Sequence, residues 1–514
     1  MTDAVVAEQR VAFDDWLRRH AGAAPVVHVE THVSLLALGE DRVWKLKKAV
    51  HFPFIDLSTP ELRRANAERE VTLNRRFAAD VYLGVLPLEN AEGAVVDTIV
   101  EMRRMPEARR LALLARTADP TACIERIAQE LTRVHRDAPT SAVIDRAGLQ
   151  TSLLHLWGAN IDELAAFTGT ELDATLLARV DDDGRRYLTG RKPLFRQRIA
   201  DSRIRDGHGD LLAEDVFCLD EGPRFLDCLE FDDELRFGDV LADVTFLAMD
   251  LERLGRRDLA DRLLDRYRIE SGDHWPDSLA DYYIAYRALV RAKVACLRTD
   301  IDPAAGASGR RLLDLASEHL LRGCVRLVLV GGAPATGKST LTQELERRTG
   351  WPTARADEVR KRLAGLEPTT SAANELDRGL YTADWTTRTY ETLLDFARAR
   401  LASGESVILD ASWSDVRRRI DAARLAEETA SVLVAFELDV PASVADARAA
   451  GRATSQHDAS DAAAPELTAT LRRRFAAWPE AVRLDGTQPV PVLAKQALDH
   501  LGPTSAVDQP SAIA

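Results

Sequence analysis

The run Gly332-Ala333-Pro334-Ala335-Thr336-Gly337-Lys338-Ser339 constrains this chain most, because it fits G-x-x-x-x-G-K-[ST] in the surroundings that pattern requires. Val325, Leu327, Val328, Leu329 and Val330 precede it as the apolar run of a buried parallel strand. Leu341 and Leu345 follow one helical turn apart, and Gly350 supplies a helix stop. In a strand–loop–helix of this kind, backbone N–H groups and the helix N-terminus hold phosphates. Gly332 to Thr340 would then form the cradle, with Lys338 at the outer phosphates and the Ser339 hydroxyl on Mg²⁺. An ordinary glycine-rich turn is the alternative, and the full motif in context disfavours it. The stretch predicts a nucleoside triphosphate site.

At 514 residues the chain is too long for one hydrophobic core, so two or three domains are expected. Its 46% hydrophobic and 29% charged residues suit a globular protein. A net charge of −14 argues against a nucleic-acid or anionic-membrane partner. Five cysteines (Cys123, Cys218, Cys228, Cys296, Cys324) show no C-x-x-C spacing, which leads us to expect reduced thiols in a cytoplasm. Met1-Thr2-Asp3-Ala4 lacks the basic start and apolar run of an export signal, and no apolar stretch nears 18 residues.

Asp302 to Gly309 reads as a short linker ahead of a helix from Leu312 to Leu321, so the expected domains are 1–310 and 311–500, with a disordered tail at 501–514. The first half opens with a helix (Val5 to His20). Strand-like runs follow at Val26–Glu30, Leu35–Leu38 and Val43–Lys47, then a charged helix (Thr59–Ala78) and a strand (Val95–Met102). A helical stretch is interrupted by a hairpin, Val216–Leu219 turning into Phe225–Asp227. The second half alternates strands at Val325–Val330, Thr353–Ala356, Val407–Leu409 and Val432–Leu438 with helices, the order of a parallel sheet covered on both faces.

Ligands of an open α/β sheet sit beyond the carboxyl ends of its strands. Asp357 follows the second predicted strand there, where it would take the proton of a substrate hydroxyl or, alternatively, N-cap the next helix. Asp410 ends Val407-Ile408-Leu409, the place of an acid that holds Mg²⁺. Arg448 and Arg452 share a helix face at i and i+4, a like-charge spacing that a polyanion would justify. Ala453 to Pro465 then suits a mobile lid.

On Gly332 to Ser339, Asp357 to Leu363, Val407 to Ser412, and Arg448 to Arg452 with Asp458 to Ala462, residues 325–500 resemble a family of small P-loop kinases. That family is similar to gluconate kinase, chloramphenicol phosphotransferase and zeta-toxin sugar kinases. The resemblance implies transfer of the ATP γ-phosphoryl group to a small-molecule hydroxyl.

In the first half, His208-Gly209-Asp210 is followed by Asp215 and, past the hairpin, by Asp227. Phosphoryl transfer in a kinase-like fold needs a carboxylate at the acceptor hydroxyl, an oxygen ligand for Mg²⁺ five residues on, and a second metal carboxylate after a hairpin. Asp210, Asp215 and Asp227 fit those offsets. On these residues, 25–300 resemble the aminoglycoside phosphotransferase family, whose pattern is H-G-D-L-H-x-x-N. Leu212 stands where the second His is usual and Asp215 where Asn is usual, which puts catalysis by this half in question. Lys45 and Lys47 share one strand face, Lys45 being preferred as phosphate ligand with Glu70 as its partner. Thr31 to Ser34 replaces the expected Gly-rich loop, and Glu101-Met102 would be the adenine-facing hinge. Asp239 reads as a structural acid, and Arg287, Arg291 and Lys293 as a solvated basic stripe.

The expected architecture is therefore multidomain, α+β and α/β: a two-lobed kinase-like fold followed by a P-loop NTPase fold with a parallel sheet. The expected cofactors are ATP and Mg²⁺, and the expected partner is a small-molecule hydroxyl acceptor. Two other readings stay open: a nucleotide-responsive regulator with a non-catalytic first half, and a polynucleotide kinase, against which the acidic balance counts.

Overall fold

Ser34–Leu38 and Arg42–Lys47 are apolar on both faces, with Leu35, Ala37, Trp44 and Leu46 in one core and Leu36, Leu38 and Val43 in another, and they pair antiparallel with Leu36 opposite Lys45. A computed structural model describes residues 2–22, 25–52, 55–299, 302–367, 379–452, 472–473 and 475–504. In it the sheet has five strands in the order Val27–Glu30, Ser34–Leu38, Arg42–Lys47, Val95–Arg103, Tyr82–Glu89, all antiparallel. The strand Tyr82–Glu89 was not anticipated. The helix Thr2–His20 packs Phe13, Trp16 and Leu17 against one part of this sheet. The helix Pro60–Ala78, N-capped by Thr59, buries Ala67, Val71 and Ala78 against another.

The second sheet is parallel, in the order Thr353–Arg355, Val407–Asp410, Arg326–Gly331, Val432–Asp439, Val482–Asp485. Its central strand Arg326–Gly331 is buried at every position, as a strand covered on both faces must be. The last strand and the helix Val490–Leu501 behind it were not foreseen; Leu493, Ala494, Ala497 and Leu501 complete that core.

The chain forms two compact units. One comprises Met1–Gly148 with Arg198–His274, the other Leu149–Gln197 with Trp275–Ala514. Residue 310, where a boundary was expected, lies inside the helix Ala305–Arg322. The linker-like Asp302–Gly309 is thus largely helical, a correction explained by packing: Gly306 and Gly309 are buried, and a side chain on Gly309 would meet Cys296 Sγ at 2.9 Å. Of the expected tail, Leu501 ends a helix and 505–514 lie outside the described residues.

The reduced-thiol expectation is also corrected. Cys123, on the helix Thr121–Asp137, and Cys218, on the strand Val216–Leu219, are disulfide-bonded with Cα atoms 5.9 Å apart. They lie 95 positions apart, beyond what a spacing rule can detect. Cys228, Cys296 and Cys324 are free. Among the described residues no helix is long and apolar enough to cross a membrane.

Within the second unit, the helix Ala174–Gly190 docks on the end of the helix Val416–Glu428. Arg191 Nη1 donates to Gly190 O at 3.1 Å and Thr429 O at 2.7 Å, so carbonyls at two helix C-termini face one guanidinium. Burial pushes the Arg191 pKa down to about 10, and the side chain stays charged at neutral pH. The approach requires Gly190, since a Cβ there would sit 2.1 Å from Thr429 O. Gly190→Ala is expected to lower the stability of the second unit by about 1–3 kcal/mol, the usual cost of overpacking. A urea melt reads the shift, and an unchanged midpoint would show that the contact is loose.

Candidate functional site

The parallel sheet brings one set of polar residues to the carboxyl ends of three adjacent strands. After Gly331 the loop turns through Gly332 (φ 134°), whose Cβ, if present, would sit 2.4 Å from Leu438 O. Gly337 (φ 103°) N-caps the helix Lys338–Thr349, so Lys338, Ser339 and Thr340 form its first turn. Ala335 holds a left-handed φ of 68°, buried among Val440, Ala445 and Ala449. Thr336 Oγ1 donates to Ala333 O at 2.9 Å, and Lys338 Nζ donates to the same carbonyl at 2.9 Å.

Asp410 ends the neighbouring strand and is buried. Burial raises its carboxyl pKa, opposed by the Lys338 charge and a hydrogen bond from Ser339. Its Oδ2 is buried and, among the described residues, has no hydrogen-bond partner. A hard divalent cation fits this spot: two oxygen donors, Ser339 and Asp410, adjoin the phosphate cradle, and one of their oxygens is unsatisfied.

Asp357 lies in the first turn of the helix Ala356–Leu363, near enough to raise the Asp410 pKa. The N-cap of that helix is Arg355, not Asp357, which corrects the capping alternative. Arg360 Nη1 donates to Asp357 Oδ1 at 2.7 Å. Arg448 reaches the phosphate loop from the side, Nη1 donating to Thr336 O at 3.3 Å and Nη2 to Gly486 O at 2.9 Å. Arg452 is the last residue of that helix, and the expected lid, Ala453 to Pro465, lies outside the described residues. The turn Asp485-Gly486-Thr487-Gln488, held by Asp485 Oδ1 at Thr487 N (3.0 Å), was missed; its turn-forming composition was the signal.

In the first unit a cavity of about 930 Å³ opens between the antiparallel sheet and the Val216–Phe225 hairpin, lined by Ser34, Lys45, Met102, Asp215, Phe217 and Asp227 among others. Lys45 Nζ lies 2.8 Å from Glu70 Oε1 and 3.1 Å from Asp227 Oδ1. Lys47, on the same face, lies 2.6 Å from Glu70 Oε2 and 2.6 Å from Glu230 Oε1. One glutamate thus serves both lysines. Burial opposes its charged form, but the two ammonium groups hold the Glu70 carboxyl below its usual range. The Lys45 ammonium is held well above its own range by Asp227 and Glu70, against burial.

Asp215 is the exception in this balance. Burial, then Asp227 and Asp210, push its pKa well above the ordinary carboxylate value. Asp215 and Asp227 both line this cavity, and a pair of carboxylates there suits a shared cation. Among the described residues, no group of three or more His, Cys, Asp or Glu side chains is arranged to hold a metal alone, so phosphate or water oxygens would complete the shell.

The loop that carries Asp210 is held by an acid the sequence reading missed. Asp243 accepts from His208 N at 2.5 Å and Gly209 N at 3.0 Å. Asp239, read as structural, N-caps the helix Val240–Arg253 and takes Arg198 at 2.6 Å. Met102 lines the cavity, and its wall continues to Met105, Pro106 and Glu107. Glu101 points to the other strand face, 3.8 Å from Arg42. In the basic stripe, Lys293 pairs with Glu163 at 3.1 Å and Arg287 lies over the Tyr286 ring.

The second unit carries a P-loop after the first strand of a parallel sheet, and the first unit has a kinase-like fold. A family model described as an AAA domain matches residues 327–477. Uncharacterized protein Rv2004c of Mycobacterium tuberculosis is 40% identical over 462 residues, 90% of this chain and 92% of its own. Uncharacterized protein Mb2027c of Mycobacterium bovis matches to the same extent. The chain belongs to the family of these mycobacterial proteins. Similar solved structures include a sugar kinase from Janibacter sp. HTCC2649 (25% identity, 34% of this chain and 93% of that one, TM-score 0.27). A choline/ethanolamine kinase family protein from Mesorhizobium loti is another (14% identity, 60% and 99%, TM-score 0.38).

The two lysines should separate on substitution. Lys47→Met leaves Glu230 and half of Glu70 buried without a counter-charge and is expected to cost about 3–5 kcal/mol of stability. Lys45→Met, at the less buried of the two lysines lining the cavity, is expected to weaken nucleotide binding more than folding. Urea melts and nucleotide titrations of both variants check this, and the reverse pattern would make Lys47 the phosphate ligand.

His208 gives a pH dependence. Its Nε2–H donates to Leu226 O at 3.0 Å while Nδ1 is buried and, among the described residues, unpartnered, so burial pushes the pKa from 6.5 down to about 4. Below pH 6.5 the unfolded chain takes up a proton that the native ring refuses, so stability falls from there to about pH 4, by about 3 kcal/mol. His208→Gln is expected to flatten that part of a stability–pH curve; an unchanged slope would place the acid sensitivity elsewhere.

Proposed function

We propose that this protein is an ATP- and Mg²⁺-dependent phosphotransferase acting on a hydroxyl of a small molecule, with the second unit as its principal catalyst. The observation that carries the reading is the convergence of the Gly332–Ser339 cradle, the unsatisfied carboxylate oxygen of Asp410 and the Asp357–Arg360 pair at one edge of the parallel sheet. Mg²⁺ held by Ser339 and Asp410 would offset charge on the β- and γ-phosphates.

The chain's own groups do the remaining work. Main-chain N–H groups of the loop bind the phosphates, and Lys338 leaves Ala333 O for the outer phosphate. Asp357 accepts the proton of the acceptor hydroxyl as its oxygen bonds to the γ-phosphorus and the bond to the β–γ bridging oxygen breaks, releasing ADP. Arg448, and Arg452 one turn on, offset charge developing on the transferred group. In the first unit the parallel roles fall to Asp210 as base and Asp215 with Asp227 as metal ligands. Lys45, Lys47 and Glu70 would order the phosphates, and Met102 would border the base. A cytoplasmic setting, where Mg·ATP is plentiful, suits this reading although the Cys123–Cys218 bond departs from the reduced thiols usual there, and the acceptor rather than nucleic acid or a membrane is the expected partner.

One observation favours a second reading, in which the first unit binds nucleotide without catalysing transfer. Asp215 adds a carboxylate to a site already crowded with negative charge, and Leu212 is buried and apolar beside it. An assay of ADP release with Mg·ATP and a panel of sugars, aminoglycosides and nucleosides separates the two. Acceptor-dependent turnover is expected to vanish in Lys338→Ala and to persist in Asp210→Ala. Loss in Asp210→Ala alone would move the chemistry to the first unit. Mg·ATP binding with no acceptor above background would favour the regulatory reading.

A further inference from the structure

The loop that carries Asp210 and Asp215 is tethered twice to the helix Val240–Arg253. Asp243 takes its start at His208 and Gly209. Seven residues on, and so on the same helix face, Asp250 Oδ2 accepts from Ala213 N at 2.9 Å. Asp250 is buried, and its Oδ1 accepts from Arg253 Nε at 2.7 Å, so the carboxylate is charge-balanced and fixed in orientation.

The bond to Ala213 has a mechanical consequence. Leu211, Leu212 and Ala213 are buried, so the Ala213 N–H needs an acceptor inside the protein. Leu212 stands where a histidine is usual in the resembling pattern, and its apolar side chain can make no polar tie. Ala213 opens the single 3₁₀ turn Ala213–Asp215, in which Asp215 N donates to Leu212 O at 3.0 Å. Asp215 O then accepts from Leu226 N at 2.9 Å, one residue before Asp227. The chain of bonds runs from Asp250 through the turn to both carboxylates that face the cavity.

We propose that Asp250 is a positioning residue for the metal site of the first unit: its grip on the Ala213 amide fixes the turn that places Asp215 relative to Asp227. The inference rests on the reading of Asp215 and Asp227 as metal ligands. Asp250 itself touches neither metal nor nucleotide.

The test uses the full chain carrying Lys338→Ala, so that the second site does not dominate. Binding of a fluorescent ATP analogue is titrated against Mg²⁺, and adenosine displacement serves as the metal-independent reference. Asp250→Leu is expected to raise the Mg²⁺ concentration for half-maximal binding by about 10- to 100-fold, the weight of one hydrogen bond to a charged group. Adenosine affinity should stay within about twofold, and Asp250→Asn, which keeps an acceptor oxygen, should recover most of the loss. Should Asp250→Leu fail to fold, Ala213→Pro removes the same hydrogen bond from the donor side. Leu212 already has an extended φ of −114° and ψ of 153°, suited to a following proline at the first position of a turn. Equal losses for Mg·ATP and adenosine, or none for either, would overturn the positioning role while leaving the metal site standing. Absence of any Mg²⁺-dependent binding in the Lys338→Ala chain would instead sink the metal-site reading, and this inference with it.

Discussion

Covering a parallel strand on both faces leaves it no lateral place for polar chemistry. Arg326–Gly331 is buried throughout, with neighbours on both sides, so its reactive groups gather where it ends. Everything assigned to the second unit follows from that restriction. The adjoining strand delivers Asp410, the next one out leads into Asp357, and a helix start follows the loop itself. The loop accommodates the crowding with positive φ at 332, 335 and 337.

The first unit solves a different electrostatic problem. Its cavity holds several carboxylates in a partly dry space, where unpaired charge is costly. Two lysines on one strand share Glu70, and each reaches a second acid, Asp227 or Glu230. Among the described residues Asp215 has no lysine partner of its own; Arg110, which stacks over Phe217 and donates to Glu214 O, only partly offsets it. The geometry is that of a site ordered in advance, with lysine side chains fixing Glu70, Asp227 and Glu230, and bonds at Ala213, Asp215 and Leu226 tying in the turn that carries Asp215.

Much of this was legible before folding was considered, for identifiable reasons. The phosphate loop, the helix Pro60–Ala78 and the hairpin after Asp215 announce themselves through local chemistry: glycines, a threonine cap and a tight turn. Lys45 and Glu70 were paired through the family resemblance, strand alternation showing only that Lys45 and Lys47 share a face, and they lie 2.8 Å apart. What escaped notice depends on distant partners. Asp243 and Asp250 sit in an apolar helix and look like interruptions until the loop they grip is in place. The Cys123–Cys218 bond joins elements that no local pattern links. Asp302–Gly309 misled because small residues that allow close helix packing resemble the small residues of a linker.

The division of the backbone also governs how the polypeptide can be made. The first unit is interrupted after Gly148 and resumes at Arg198, and the second begins at Leu149 in that gap. A nascent chain leaving the ribosome therefore cannot finish its leading globule when the first 148 residues have emerged. It must wait for the segment ending at His274, which brings the hairpin with Asp227 and the helix with Asp250. Until then the five-stranded sheet lacks the partner that closes its cavity. The usual order, one domain completed before the next begins, is not open to this protein.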